Sequence, residues 1–225
     1  MLFLLCFCYN GSHKEGSSVK GKRILWIVIG ILVIILVASV FLFLKHCKWG
    51  FAREVPQQEA ALRHKTIQAA EQWMGVNQFD GSHQAIIDIY NEHTPLPQNY
   101  LVNYNDKWCA TYISTIAIQC DLTRIIPKEC GCQRQIGLFA DLGRWIEDDN
   151  YVPLPGDIIY YSSEGAKSGE NTGWSDHVGL VVGTLGNYIK VIEGNVAGFV
   201  AVRYMKVDDD SIRGYGLPDY ASIIE

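Results

Sequence analysis

Apolar and polar positions divide the chain into two unlike parts. From Ile24 to Leu44 runs ILWIVIGILVIILVASVFLFL, 21 residues without a charge, with Lys20, Lys22 and Arg23 before it and Lys45 and Lys48 after it. At ~1.5 Å per residue a helix of that length rises about 31 Å and matches a ~30 Å hydrocarbon core, so the pattern predicts a transmembrane helix. Its apolar stretch exceeds the ~7–15 residues usual for a signal peptide and no small-x-small site follows it, which favours an uncleaved anchor over a cleaved leader.

Beyond the anchor the apolar positions become periodic. Pro56 and Gln57-Gln58-Glu59 open a helical pattern to about Met74, with Ala61, Ile67, Ala70 and Trp73 or Met74 predicted to face inward. A second helical pattern has apolar residues at 112, 113, 116, 117 and 120, with Asp106 as the expected N-cap. Cys109 then falls in the first turn. Residues 176–183 and 188–195 alternate as two strands joined near Thr184-Leu185-Gly186-Asn187. A three-residue loop centred on Leu185 or Gly186 places His177, Glu193 and Asn195 on one face, and Val178, Leu180, Val182 and Ile192 on the other. A two-residue loop would put Glu193 on the wrong side. The organisation expected is a basic N-terminal tail (1–23), a membrane helix (24–44), a linker (45–56) and one folded domain (57–225) of roughly 170 residues, large enough for a single core.

Charge narrows the partners. The net charge of −5 combines a basic tail with a more acidic domain, which argues against a nucleic-acid ligand, since that would want a basic stripe. Membrane lipid, through residues 24–44, is the partner the pattern itself names. The lysines and arginines on the two sides of that run differ too little to fix its orientation. Cys6, Cys8 and Cys47 read as membrane-adjacent thiols, and Cys120 as a small buried hydrophobe. One disulfide is possible among Cys120, Cys130 and Cys132, with no connectivity readable. Asp80-Gly81-Ser82 lacks the alternating carboxylates of a calcium loop, and Asp208-Asp209-Asp210 reads as a solvated run.

The candidate chemistry is a thiol on a helix start followed far downstream by an imidazole, a carboxylate and a carboxamide: Cys109, His177, Glu193 and Asn195. Backbone N–H groups and the positive end of a helix dipole stabilise a thiolate. A neighbouring His177 then takes and returns protons, with Glu193 or Asn195 orienting its ring. This is what a cysteine hydrolase needs, and it calls for no metal and no cofactor.

Asp106-Lys107-Trp108-Cys109-Ala110, Pro155-Gly156-Asp157-Ile158-Ile159-Tyr160-Tyr161, Asp176-His177-Val178-Gly179-Leu180-Val181, Ile192-Glu193-Gly194-Asn195 and Arg213-Gly214-Tyr215-Gly216 occur in this order. Together they resemble a CHAP domain, the cysteine, histidine-dependent amidohydrolase/peptidase relative of the NlpC/P60 peptidoglycan hydrolases. The resemblance covers about residues 57–225. It implies an α+β, papain-like fold with the nucleophile helix packed on an antiparallel sheet. It further implies Cys109 as nucleophile, His177 as general base and acid, Glu193 as the residue orienting His177, Asn195 as an accessory polar member, and peptidoglycan as substrate. The stretch from Ser162 to Ser175 and Glu129-Cys130-Gly131-Cys132 depart from the family's minimal pattern. A membrane-anchored wall hydrolase, facing outward, is the expectation. A non-catalytic wall-binding module and a cysteine peptidase or transpeptidase with a non-wall substrate remain open alternatives.

Overall fold

The computed structural model describes residues 18–46, 49–148, 150–162 and 173–224. They fall into two compact units, one ending at Lys48 and the other running from Trp49. The first contains helix α1 (Ser18–His46), in which Lys22–Ser39 is long and apolar enough to cross a membrane and is nowhere buried by protein. Ile24, Leu25, Trp26, Ile27 and the residues to Val37 are exposed accordingly. A helix apolar all round, with every backbone polar group satisfied internally, is suited to lipid.

The second unit is α+β. Helices α2 (Gln57–Glu71), α3 (Gln84–Glu92), α4 (Cys109–Cys120) and α5 (Cys132–Asp141) precede a six-stranded sheet. Its strands are β1 (Trp145–Ile146), β2 (Ile158–Tyr161), β3 (His177–Leu185), β4 (Tyr188–Val196), β5 (Phe199–Lys206) and β6 (Ile212–Gly216), in the order β1-β6-β2-β3-β4-β5 and antiparallel throughout. α4 buries every residue except Ile118 and Gln119, because α2 and α3 pack on it as well as β3 and β4. It stops at Asp121, which takes a left-handed φ of 60°. The amide of Leu122 then donates to the Ala117 carbonyl at 2.8 Å and that of Asp121 to Ile118 at 3.1 Å, satisfying two orphan carbonyls. Val178, Leu180 and Ile192 line the α4 side of the sheet, while Ile159, Tyr161, Val181, Val191 and Tyr215 form a second cluster.

Three expectations need revision. α2 turns Arg63, Thr66, Ile67 and Ala70 inward, whereas Ala61 and Met74 are exposed. A buried arginine is stable there because its donors are used, by Glu59 at 2.8 Å, Asp157 at 2.9 Å and the Pro155 carbonyl at 2.9 Å. Second, residues 49–56 are not a free linker. Gly50 pairs with Thr184, Trp49 stacks near Tyr204 at 5.4 Å, and Arg53 donates to the Val152 carbonyl and the Tyr151 hydroxyl. Third, Leu185 pairs with Tyr188, so the β3–β4 turn has two residues, not three.

That turn alone would have sent Glu193 to the wrong face. The register shifts between Val181 and Gly183, however, so Val181 opposes Val191 and Leu180 opposes Ile192. The bulge at Val182 supplies the extra residue that restores equal parity. His177 and Glu193 do share a face, by a different route from the one the sequence suggests.

Candidate active site

Cys109 is the first residue of α4, and its N-cap is Trp108, with no side-chain capping bond. Asp106 has another task. It accepts from the Asn103 amide at 2.8 Å and the Tyr100 hydroxyl at 2.7 Å, tying together the loop that delivers the helix start. The free first turn leaves the Ala110 N–H to stabilise the Cys109 sulfur. The Cys109 thiol is held well below the usual thiol range by the hydrogen bond from Cys132, against the opposing effect of burial, and by the His177 imidazolium and the Ala110 N–H. These surroundings favour the thiolate over the thiol.

His177 opens β3 and is half-buried, its ring stacked on Tyr161 at 5.9 Å and 25°. Its Nε2 meets Glu193 Oε2 at 3.1 Å, and the Cys109 thiol acts on the same ring. Burial pulls the imidazole pKa down, but hydrogen bonds and charge from Cys109 and Glu193 outweigh it and raise the value to about 9. Glu193 is fully buried, and burial favours its neutral acid. His177 and Arg203 more than reverse this and hold the carboxyl below its ordinary range. The Arg203 Nε donates to both Glu193 oxygens, at 2.8 and 3.0 Å, and the guanidinium lies over the Tyr161 ring. Cysteine, histidine, glutamate and arginine form one continuous chain of charge.

The glycine in Asp176-His177-Val178-Gly179 makes this chain possible. A Cβ on Gly179 would stand 2.5 Å from Val191 Cγ1 and 2.8 Å from Glu193 Cγ. Only a residue without a side chain lets Glu193 lie across β3 toward His177.

Cys109, His177 and Glu193 are thus brought together. Asn195 is not joined to them by its side chain, which makes no hydrogen bond among the described residues. It sits at a left-handed φ of 63° where the β4–β5 register shifts, just before the tight turn at Ala197 and Gly198. Its position serves backbone geometry. Much of the stretch from Ser162 to Ser175 that departs from the family pattern, namely 163–172, lies outside the described residues, as do Cys6, Cys8 and Cys47.

Sequence reasoning misses three residues. Arg203 becomes visible only when β4 and β5 are in register, since it reaches Glu193 diagonally from the position opposite Val191. Tyr161 belongs to one of the sequence motifs, but nothing in that motif names His177 as its stacking partner. Cys132, a disulfide candidate by sequence, instead places its sulfur 3.6 Å from that of Cys109, and both thiols are free. The Pro155-Gly156-Asp157 motif proves to be structural: Asp157 is buried against Arg63, the Tyr151 hydroxyl at 2.7 Å and the Leu154 amide at 2.8 Å. No protein-family model matches the chain, and neither a curated protein nor a solved structure matches it.

Proposed function

We propose that this chain is a cysteine hydrolase of the CHAP type, papain-like in plan and anchored in a membrane by α1, that cleaves amide bonds of bacterial peptidoglycan. The observation that carries the reading is the Cys109–His177–Glu193 line: a helix-start thiol whose surroundings favour its ionised form, an imidazole raised above its ordinary range, and a buried carboxylate 3.1 Å from the ring. Structural cysteines do not need such a partner. The chain order, with the thiol on a helix and the histidine and acid on neighbouring strands, supports it further.

The chemistry follows from the placement. The Cys109 thiolate attacks the amide carbonyl, and the Cys109 backbone N–H at the open helix start meets the developing oxyanion. His177 gives its proton to the leaving amine, and the C–N bond breaks to leave a thioester. Water then attacks, with its proton passing to His177, and the thiolate is released. Glu193, held by Arg203, keeps the ring in one orientation and stabilises its cation.

Purified peptidoglycan incubated with detergent-solubilised full-length protein tests this, with mass spectrometry of the released fragments naming the bond. Cys109→Ala is expected to abolish release while the circular dichroism spectrum stays unchanged. Release by a folded Cys109→Ala protein removes Cys109 as the nucleophile, and a wild-type protein that binds walls but releases nothing is a wall-binding module. A wild-type protein that leaves walls intact yet cleaves peptide amides is a peptidase with another substrate. The proposed substrate also places the domain on the wall side of the membrane. Protease added to intact protoplasts is then expected to digest the chain beyond Lys45, and full protection until the membrane is opened would place Cys109 inside.

A further inference from the structure

Among the described residues, Cys109 and Cys132 form a pair of nucleophilic sulfurs of which the proposed hydrolytic cycle uses only the first. The sulfurs come from the first residues of two helices, α4 and α5, 23 positions apart, and stand 3.6 Å from each other. Both side chains are nearly enclosed, at 5% and 8% relative exposure. A disulfide places its sulfurs about 2.05 Å apart, so a closure of about 1.5 Å joins them. The other two described cysteines are engaged elsewhere: Cys120 Sγ lies 4.0 Å from the Lys65 carbonyl, and Cys130 Sγ accepts from Arg134 at 3.9 Å.

We propose that Cys109 and Cys132 are a reversible modification site, at which a peroxide-class oxidant couples the two sulfurs into a disulfide and so withdraws the nucleophile. That the disulfide silences hydrolysis rests on the reading of Cys109 as the nucleophile. That it forms does not.

The steps balance. The Cys109 thiolate attacks one peroxide oxygen, an S–O bond forms as the O–O bond breaks, and hydroxide leaves, giving a sulfenic acid. The Cys132 sulfur then attacks the Cys109 sulfur. An S–S bond forms, the S–O bond breaks, and the departing hydroxide takes up the Cys132 proton as water. In sum two thiols lose two protons and two electrons, and the peroxide becomes two waters. A dithiol reductant reverses the change by exchange, itself becoming a disulfide.

The electrostatics of the pair suit both steps. Cys109 is the sulfur that ionises, so it is the one that reacts with peroxide. Cys132 is held well above the ordinary thiol range, first by the hydrogen bond it gives Cys109, then by burial and by the Cys109 charge. Oxidation of Cys109 to a neutral S–OH removes that charge. The restraint on Cys132 is lifted at the moment its sulfur is needed. Proximity then favours disulfide closure over further oxidation of Cys109 to the irreversible sulfinic acid.

The test treats full-length protein in detergent with stoichiometric hydrogen peroxide, quenches it, and maps thiols and linked peptides by mass spectrometry beside wall hydrolysis. The expected product is a peptide pair joining Cys109 to Cys132, two hydrogens lighter, with hydrolysis falling to about a tenth or less and returning to within about twofold after dithiothreitol. Cys132→Ser, scored against its own untreated rate, is expected to trap Cys109 as a dimedone-reactive sulfenic acid. Under excess peroxide it is expected to lose the ability to recover. Cys130→Ser should still form the linked pair. If Cys109 is found linked to Cys130 or to another chain, or goes to sulfinic acid in the wild type as readily as in Cys132→Ser, the proposal is overturned. A Cys109–Cys132 disulfide in a protein that hydrolyses nothing in either state would instead remove the hydrolase reading and leave the dithiol site standing.

Discussion

Two buried carboxylates, each facing an arginine, do opposite things in this molecule. Asp157 is almost fully enclosed and meets Arg63, the Tyr151 hydroxyl and the Leu154 amide, yet burial prevails and its carboxyl is pushed above the ordinary range. Glu193 is equally enclosed and meets Arg203 and His177. There the partners prevail over burial and hold it below that range. The difference lies in where each network ends. The partners of Asp157 are an arginine, a tyrosine and a backbone amide, none of which changes charge near neutral pH. That cluster clamps α2 to the loop before β2. The network of Glu193 ends in an imidazole whose pKa is raised by Glu193 and Cys109, and the proposed hydrolysis would use that arrangement to hold and move a proton.

The largest effects should separate the two networks cleanly. His177→Ala is expected to lower wall hydrolysis by about 10³-fold or more, since base and nucleophile act as one unit, while the urea midpoint of the domain moves little. Asp157→Asn should do the reverse. It takes from the buried Arg63 one of its two carboxylates, Glu59 remaining, and is expected to cost about 1–3 kcal/mol in stability, with a near-normal rate for the fraction that stays folded. Parallel urea titrations and rate measurements decide the matter. A His177→Ala protein that is unstable, or an Asp157→Asn protein that is stable but inactive, would break the contrast.

A smaller effect should appear in the pH profile of Glu193→Gln. The carboxylate favours the imidazolium, and removing its charge while keeping its shape takes that support away. The basic limb of the proposed hydrolysis, expected to follow the raised His177 pKa of about 9, should therefore move toward lower pH. The rate at neutral pH should fall less than in His177→Ala. An unmoved basic limb would mean that Glu193 does not orient or charge His177.

Much of the Glu193 side of this contrast is legible in the sequence. The helix-start thiol and the two alternating strands follow from local periodicity, which survives into the fold because α4, β3 and β4 bury the faces their patterns offer, and the uncharged run is legible from its length and composition. What fails is information carried by register. Counting residues around Gly186 leaves the loop at three residues or two, and the turn has two, with a bulge at Val182 compensating. No local pattern announces a bulge in a run of Val and Gly. Arg203 and Cys132 are invisible as site residues for the same reason, since each meets its partner only through tertiary placement. Arg63 misleads in a different way. A charged residue on a predicted amphipathic helix reads as solvated, and only Asp157, 94 positions away, turns it inward.

The smallest expected effect is on stability in acid, and its sign follows from the two directions of shift. Glu193 ionises more readily in the folded chain than at its ordinary value of 4.5. Its contribution to stability is present above that pH and is lost as the pH falls through the folded value. Asp157 is displaced upward from 3.8, so the folded state holds its proton more tightly than the unfolded chain. The penalty it imposes when ionised is relieved as the pH falls. The two carboxylates therefore oppose each other on acidification. Glu193→Gln removes only the first, so the variant is expected to be less stable than the wild type at neutral pH but to lose less on going below pH 4.5, so that the two curves converge. Urea midpoints collected from neutral pH into this acid range read the difference directly. Curves that stay parallel below that pH would show that the Glu193 carboxylate gains nothing from His177 and Arg203, and the contrast between the two networks would fail at its root.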